Sequence, residues 1–395
     1  MIEATLYLKR PLRKLPPGKH PWIFSNAIES VEGCPEPGEV VRVIDSEGLF
    51  IARGYYNAKS RIAVRLLEWN EEKSINESWW REKLSRSIQR RQQYPGLAEC
   101  NAYRLCHAEA DGLPGLIVDR YGDFVVLQCL TAGMEKVRDI ISDEIYASLH
   151  PQGIFERSDA SVRSLEGLEQ RCGSLKGKTP PEQVEIYEGH CRYFVDIRNG
   201  QKTGFFLDQR ENRRRVASHL ASRVVLDCFC YSGGFSIRGL MGGALSCILL
   251  DSSRIALDLA RQNLKRNDLP QQEFVQGDAF RQLREFKLKG LRFDAIVLDP
   301  PKLAPTRFHA PKAMRAYKDI NLMAMLLLRS EGILATFSCS SGISAEMFQE
   351  ICLWASIDAQ REVHILEQLS QTEDHPVRLG FPESSYLKGL ICRVH

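Results

Sequence analysis

One stretch constrains this chain more than any other: Val224-Val225-Leu226-Asp227-Cys228-Phe229-Cys230-Tyr231-Ser232-Gly233-Gly234-Phe235-Ser236. A β-branched apolar run ends in a carboxylate, crosses a turn of small residues with paired glycines, and enters a helical pattern. Strand, glycine turn and helix N-terminus form the first turn of a doubly wound α/β sheet, where backbone N–H groups face a nucleotide-like ligand. The spacing is not G-x-G-x-x-G, because Phe229 and Tyr231 stand where glycines would be expected. Dinucleotide binding is therefore one candidate among several, and the downstream spacing decides.

From Arg223 onward the pattern alternates strand and helix. Strands are expected at Val224–Asp227, Leu245–Leu250, Glu273–Gln276, Phe293–Leu298 and Gly332–Ser338. Helices are expected at Phe235–Met241, Ser253–Asn267, Ala279–Phe286, Pro311–Arg329 and Ala345–Trp354. Two last strands, Glu362–Gln368 and Tyr386–Val394, are joined without a helix. A parallel sheet closed by an antiparallel hairpin is the plan of class I S-adenosylmethionine methyltransferases.

Four acids, Asp227, Asp251, Asp278 and Asp299, fall at strand C-termini, where open α/β sheets bind ligands. Asp251 ends the second strand, where a carboxylate can bond both hydroxyls of a ribose. Asp278 ends the third and could accept from an adenine amino group. An Asp before a helix is also a common cap, but four in register are hard to explain that way. With no phosphate-binding glycine fingerprint, S-adenosylmethionine fits and NAD does not.

The fourth strand runs into Asp299-Pro300-Pro301-Lys302. Methyltransferases of exocyclic amines place an aromatic ring after the prolines, so Lys302 argues against amine methylation. The following loop, Pro300–Lys318, holds Lys302, Arg307, Lys312, Arg315 and Lys318 and no acid before Asp319, which suits a strand of RNA. The fifth strand ends in Phe337-Ser338-Cys339-Ser340-Ser341-Gly342. Pyrimidine carbon 5 becomes nucleophilic only after a thiolate adds to carbon 6, so Cys339 is the candidate nucleophile.

At 395 residues, two or three domains are expected. The start Met1-Ile2-Glu3-Ala4 is not a signal peptide, and the longest apolar run, Leu322–Leu328, is too short for a bilayer, so no membrane partner and a cytoplasmic location are expected. Twelve scattered cysteines lack zinc-site spacing, so no metal is expected. The net charge of +3 is uneven: residues 96–188 carry nine Lys and Arg against sixteen acids, between two basic ends. Basic ends around an acidic middle point to a shared polyanion.

The expected organisation is a small β-barrel over 1–72, a connector helix over 73–95, an α+β domain over 96–188 and the α/β domain over 189–395. Barrel strands are expected at Ala4–Leu8, Val40–Asp45, Leu49–Tyr55 and Ile62–Leu67, and the polar stretch Arg171–Glu182 as a loop. The segments Leu15–Phe24, Gly38–Val41 and Ile51–Asn57 resemble a PUA domain, a small RNA-binding barrel. Its expected RNA contacts are Lys9, Arg13, Lys19 and Trp22. Gly200–Arg210, with Thr203 and Gln209, looks like a lid or edge of a ligand site. Arg213-Arg214-Arg215 is expected on a solvated face, with a phosphate contact as the alternative.

Asp227–Phe235, Gly200–Arg210, Asp299–Lys302 and Ser338–Ser340 together resemble the bacterial 23S rRNA 5-methylcytosine methyltransferases of the large-subunit methyltransferase I family, essentially end to end. The resemblance implies S-adenosylmethionine as methyl donor and 23S rRNA, or a large-subunit assembly intermediate, as substrate; a homodimer stays open. It implies Cys339 as nucleophile with Asp299 on the base, and a cofactor set of Phe229, Tyr231, Ser232, Gly233, Asp251, Asp278, Asp299, Gln209 and Thr203. Position 301 is Pro, so the second cysteine of another 5-methylcytosine branch is absent, and the base that removes the carbon 5 proton is unidentified. Two alternatives stand beside this. One is a same-fold methyltransferase of 5-methyluridine, guanine or a protein; the other is a non-catalytic RNA-binding factor.

Overall fold

The structure, a computed structural model, describes residues 3–11, 20–304 and 307–395, with Arg307 described through its backbone alone. Arg13, Lys19 and the side chain of Arg307 thus lie outside the described residues. The chain forms two compact units that interleave in sequence: unit 1 is Met1–Ile186, Asp196–Phe205 and Glu373–Ser384, and unit 2 is Tyr187–Val195, Phe206–Thr372 and Ser385–His395.

Unit 1 begins with a six-stranded sheet of β1 (Thr5–Leu8), β2 (Trp22–Phe24), β3 (Ile28–Glu32), β4 (Val40–Ile44), β5 (Phe50–Tyr56) and β6 (Ile62–Glu68), in the order β2-β6-β5-β4-β1-β3. Its core is drawn from alternate positions, Leu6 and Leu8, Val41 and Val43, Val64 and Leu66, as a half-buried strand requires. β2 and β3 were not expected from sequence. β2 is three residues long and β3 buries no residue fully, so neither carries a clear period-two signal.

Helix α1 (Glu77–Gln92) starts at Asn76, whose side chain accepts from the Trp79 N–H, and buries Trp79, Trp80, Leu84 and Ile88. Next come β7 (Ala102–His107), β8 (Leu116–Tyr121), β9 (Phe124–Cys129), α2 (Ala132–Leu149), β10 (Gly153–Ser158) and β11 (Arg171–Gly177), in a sheet ordered β11-β10-β9-β8-β7. The expected loop at Arg171–Glu182 is thus partly a strand. β11 is an edge strand with no fully buried residue, so its composition is that of a loop.

Unit 2 is entered through the hairpin of β12 (Val184–Glu188) and β13 (Cys191–Val195), followed by α3 (Arg210–Ala217). Its main sheet uses β14 (Val224–Cys228), β15 (Ser246–Asp251), β16 (Glu273–Gln276), β17 (Phe293–Leu298), β18 (Leu328–Ser338), β19 (Val363–Leu369) and β20 (Lys388–Val394). Helices α4 (Gly234–Met241), α5 (Arg254–Arg266), α6 (Ala279–Leu288), α7 (Ala310–Leu327) and α8 (Ala345–Ala359) connect them. The order is β16-β15-β14-β17-β18-β20-β19, with β20 antiparallel to both β18 and β19. This is a class I methyltransferase sheet, closed by the expected hairpin. β14 and β17 lie side by side in parallel register at the switch point, where chain connections diverge and ligand clefts form.

Two local expectations change. The basic stretch after Pro300 is not all loop. Arg307–His309 is a 3-10 turn and α7 begins at Ala310, with Pro311 in its first turn, where a missing N–H costs nothing. Lys318 there pairs with Asp358 at 2.7 Å. Arg213 is also not solvated: its guanidinium is buried and donates to both Glu188 oxygens, at 2.5 and 3.1 Å, and to the Phe206 carbonyl. Arg214 pairs with Glu211 and Arg215 with Glu367. No helix among the described residues is long and apolar enough to cross a membrane.

Candidate active site

The turn after β14 is built by backbone geometry. Phe229, Tyr231 and Gly233 all have left-handed φ, at 62°, 48° and 83°. Two non-glycine residues in that region imply local strain held in place by the surroundings, a state that concentrates at ligand sites. Phe229 packs edge-on to Phe280, and Tyr231 edge-on to Phe206 at 5.4 Å between ring centroids. The aromatic residues that broke the dinucleotide pattern are therefore the walls of this turn.

Each acid at the sheet edge has a different environment. Asp227 is buried, and one of its oxygens accepts from the Ser236 N–H at 3.1 Å and hydroxyl at 2.6 Å. Burial, with Asp299 and Asp251 adding to it, pushes its carboxyl up to about 7 despite the two bonds from Ser236. Asp251 accepts from the Tyr231 N–H and the Ser253 N–H, each at 2.9 Å, so it ties the glycine turn to the end of β15. Asp278 is exposed and caps α6 by accepting from the Arg281 N–H at 3.0 Å. Asp299, just past β17, accepts from the Gln209 side-chain N–H at 3.0 Å, and Gln209 itself accepts from Asn212 at 2.6 Å.

This edge suits a cationic ligand with a ribose. Asp299 and Asp251 both act electrostatically on Asp227, and the Ser232 hydroxyl and one Asp227 oxygen are buried without a hydrogen-bond partner. Each orphan is costly until a ligand or water satisfies it. Sulfonium and ammonium charges would relieve the repulsion, and hydroxyls would meet Asp251.

On the other side of β14 the site is made of side chains. Cys339 follows β18 and is half-buried. Around it, Tyr317 of α7 takes part in hydrogen bonds with the Ser338 and Ser340 hydroxyls, both at 3.0 Å, and Ser340 accepts from the Leu303 and Ala304 N–H groups at 3.1 and 2.9 Å. The loop after Asp299 is thereby pinned to the loop that carries Cys339. Lys388, at the start of β20, donates to the Ser340 and Tyr386 carbonyls at 2.7 and 2.8 Å. Lys388 and Tyr317 are absent from the sequence-derived site. They arrive through the β18–β20 pairing and the α7 packing, which have no local signal.

The remaining sequence-derived residues fall into three groups. Lys302, Lys312 and Arg315 are exposed on and beyond the β17 loop. Thr203 is buried in unit 1, where its hydroxyl donates to Asp119 at 2.7 Å and meets Tyr121 at 2.8 Å, so its side chain is committed internally. Lys9 is exposed and donates to the Asn26 carbonyl, while the Trp22 indole donates to Glu109 at 2.9 Å and packs edge-on to Phe381. Trp22 is thus already packed within unit 1.

Known proteins agree with this architecture. Residues 8–69 match the family model of a PUA-like domain, and residues 166–388 match that of an S-adenosylmethionine-dependent methyltransferase. The ribosomal RNA large subunit methyltransferase I of Aeromonas hydrophila is 44% identical over 396 residues, covering 99% of this chain and all of that protein. The protein of the same name from Escherichia coli is 41% identical and covers all of both chains. Among solved structures, one from Streptococcus mutans described as a SAM-dependent methyltransferase superposes with a TM-score of 0.83 at 22% identity, covering 98% of this chain and 99% of that one. Another, SMU.776 complexed with SAH, gives 0.84 at 21% identity over the whole of both chains. S-adenosylmethionine is the cofactor of the matched methyltransferase family, and with identity above 40% from end to end this chain belongs to the ribosomal RNA large subunit methyltransferase I family.

Proposed function

We propose that this protein methylates carbon 5 of a cytosine in large-subunit (23S) rRNA through a covalent adduct with Cys339. The observation that carries the proposal is the placement of a half-buried cysteine just past β18, one strand from Asp299, on the sheet edge that also carries the glycine turn. The named relatives act, by their names, on large-subunit ribosomal RNA, and the PUA-like domain fits an RNA substrate.

In this reading Asp251 bonds the ribose, Asp278 faces the adenine, and Phe229, Tyr231, Ser232 and Gly233 enclose the rest of S-adenosylmethionine. Bound there, the cofactor supplies an electrophilic methyl group on sulfur. Thr203 serves to hold its own segment through Asp119 and is left out of the contact set. Gln209 orients Asp299 by holding one oxygen.

The target base leaves its stack to enter the site. The Cys339 thiolate forms a bond to carbon 6, and the ring's displaced electron pair makes carbon 5 nucleophilic. Asp299, protonated, donates to ring nitrogen 3 and supports the charge that develops. After carbon 5 is methylated, a base takes its proton, the 5,6 double bond returns and the carbon–sulfur bond breaks. Nitrogen 3 of cytosine is an acceptor whereas that of uracil bears a proton, so a protonated Asp299 selects cytosine.

Lys302, Lys312 and Arg315 neutralise RNA phosphates beside the site, with Lys9 on the PUA-like domain as a second contact, while Trp22, held by Glu109 and Phe381, is left out of the contact set. The test is methyl transfer from labelled S-adenosylmethionine to 23S rRNA fragments, followed by nucleoside analysis. Label in 5-methylcytidine is expected. Label in 5-methyluridine or a methylguanosine would overturn the base assignment, and no transfer with intact cofactor binding would favour a non-catalytic RNA-binding role.

A further inference from the structure

We infer that Lys388 is a positioning residue for the nucleophile: its ammonium holds Cys339 as the thiolate that attacks the base. The inference rests on the reading of Cys339 as nucleophile.

The geometry begins with register. β20 runs antiparallel to β18, and Lys388 sits directly opposite Ser338, the last residue of β18. Directly opposed residues of an antiparallel pair have β-carbons about 5 Å apart, so Cys339 begins one residue beyond the Lys388 partner. The ammonium then folds over the loop that bears the cysteine and is fastened at two points, the Ser340 carbonyl at 2.7 Å and the Tyr386 carbonyl at 2.8 Å. A lysine ammonium has three N–H groups, and these carbonyls take two. A flexible side chain is thus fixed beside Cys339 by main-chain oxygens that do not titrate.

The electrostatics point the same way. The charged groups that act on Lys388 are Cys339, which favours the ammonium, and Lys302, which opposes it. Tyr317, across the loop on α7, feels Cys339 as a neighbouring negative charge, and its hydroxyl bonds to the Ser338 and Ser340 hydroxyls. Among the described residues no carboxylate acts on Lys388, so the thiolate is the anion that matches it. Burial holds Lys388 down to about 8, still protonated at neutral pH, and a thiolate beside it strengthens that state. Cys392 of unit 2 is a contrast: burial alone pushes its thiol up to about 12, with no cation to offset it.

The experiment follows iodoacetamide alkylation of Cys339 in the full chain, by peptide mass, from about pH 6 to 9, for the parent, Lys388→Met and Lys388→Arg. Lys388→Met should slow alkylation at pH 7 about tenfold and move the midpoint of the profile up by about one pH unit, since a unit is a factor of ten in thiolate. Lys388→Arg should recover most of the rate. Cys34, exposed and remote in sequence, should be unchanged in every digest. Calorimetric binding of S-adenosylhomocysteine checks that each variant is folded. An unchanged Cys339 profile in Lys388→Met overturns the inference, and so does an Arg variant as slow as the Met variant, because shape rather than charge would then be at work. The two readings fail separately. A shifted thiol profile together with full methyl transfer by Cys339→Ala would sink the covalent route and the catalytic use of the ion pair, but not the pair itself.

Discussion

The two halves of the unit 2 sheet, divided between β14 and β17, are built from different materials. On the β14–β16 side the site is main chain: left-handed turns at Phe229, Tyr231 and Gly233, and carboxylates that accept from N–H groups of Tyr231, Ser253, Ser236 and Arg281. On the β17–β20 side it is side chain: Asp299 on Gln209, Tyr317 on two serines, Lys388 on the loop of Cys339. A site held by main chain binds one invariant small molecule, because only backbone shape must be kept. A site made of side chains sets which atom of which substrate reacts. Changes on the second side should therefore stop chemistry, and changes on the first should weaken binding.

The largest effect tests that division. Cys339→Ala should lower methyl transfer by a factor on the order of 10³ or more, since an activated nucleophile has no substitute in a two-step route. Cofactor affinity should stay within about twofold. Transfer measured with labelled S-adenosylmethionine, beside calorimetry, reads both at once. A parallel loss of cofactor binding would show that the halves are not separable.

Asp251→Ala is the mirror experiment. Loss of two charge-assisted bonds to a ribose should cost about 2–3 kcal/mol, or roughly 30–150-fold in affinity. Part of that cost is indirect, because the Asp251 carboxylate also holds the Tyr231 N–H and so the turn itself. Asp251→Asn keeps an acceptor for that N–H and should recover part of the affinity. Unchanged binding in Asp251→Ala would refute the ribose assignment.

How much of this was legible follows the same line. The glycine turn, each of the four acids at its strand end and the Asp299–Lys302 turn are each written in a short local stretch, because local backbone geometry makes them. Cys339 could be singled out because the end of β18 is local too. Lys388 was invisible: it reaches the site through a strand pairing set by the whole sheet, and a lone lysine before an apolar run has no local meaning. Arg213 was misjudged for a related reason, since its partner Glu188 lies on another element. Nor could periodicity reveal that Glu373–Ser384 joins unit 1, where the Arg91 guanidinium donates to the Asp374 carbonyl as well as to both Asp111 oxygens.

Asp227 offers a test of the main-chain half through pH. Its carboxyl is raised from an ordinary value near 3.8 to about 7, so the folded state holds a proton that the unfolded state releases. Rising pH therefore removes stability between about 4 and about 7 and changes nothing further from this group. Asp227→Asn is neutral throughout and can keep the acceptor for Ser236. Without cofactor, its unfolding free energy should gain on that of the parent as pH rises from 5 to 7, by an amount on the order of 2 kcal/mol, and the difference should then level off. A constant difference across that range would mean that Asp227 is ionised in the folded protein.

The smallest effect concerns Lys312 and Arg315, at the rim of the side-chain half. Both are exposed, whereas the neighbouring Lys318 and Arg284 are held by Asp358 and Asp319. A cation already paired with a carboxylate gives little to a phosphate, so the four should behave differently although all are basic. Replacing Lys312 and Arg315 together with Ala should weaken binding of an rRNA fragment up to about tenfold at moderate salt, and reduce the slope of log affinity against log salt by about two. Replacing Lys318 and Arg284 should change that slope by much less. Equal slopes for the two pairs would mean that the RNA follows charge density rather than this rim, and the side-chain half would then end at Lys302.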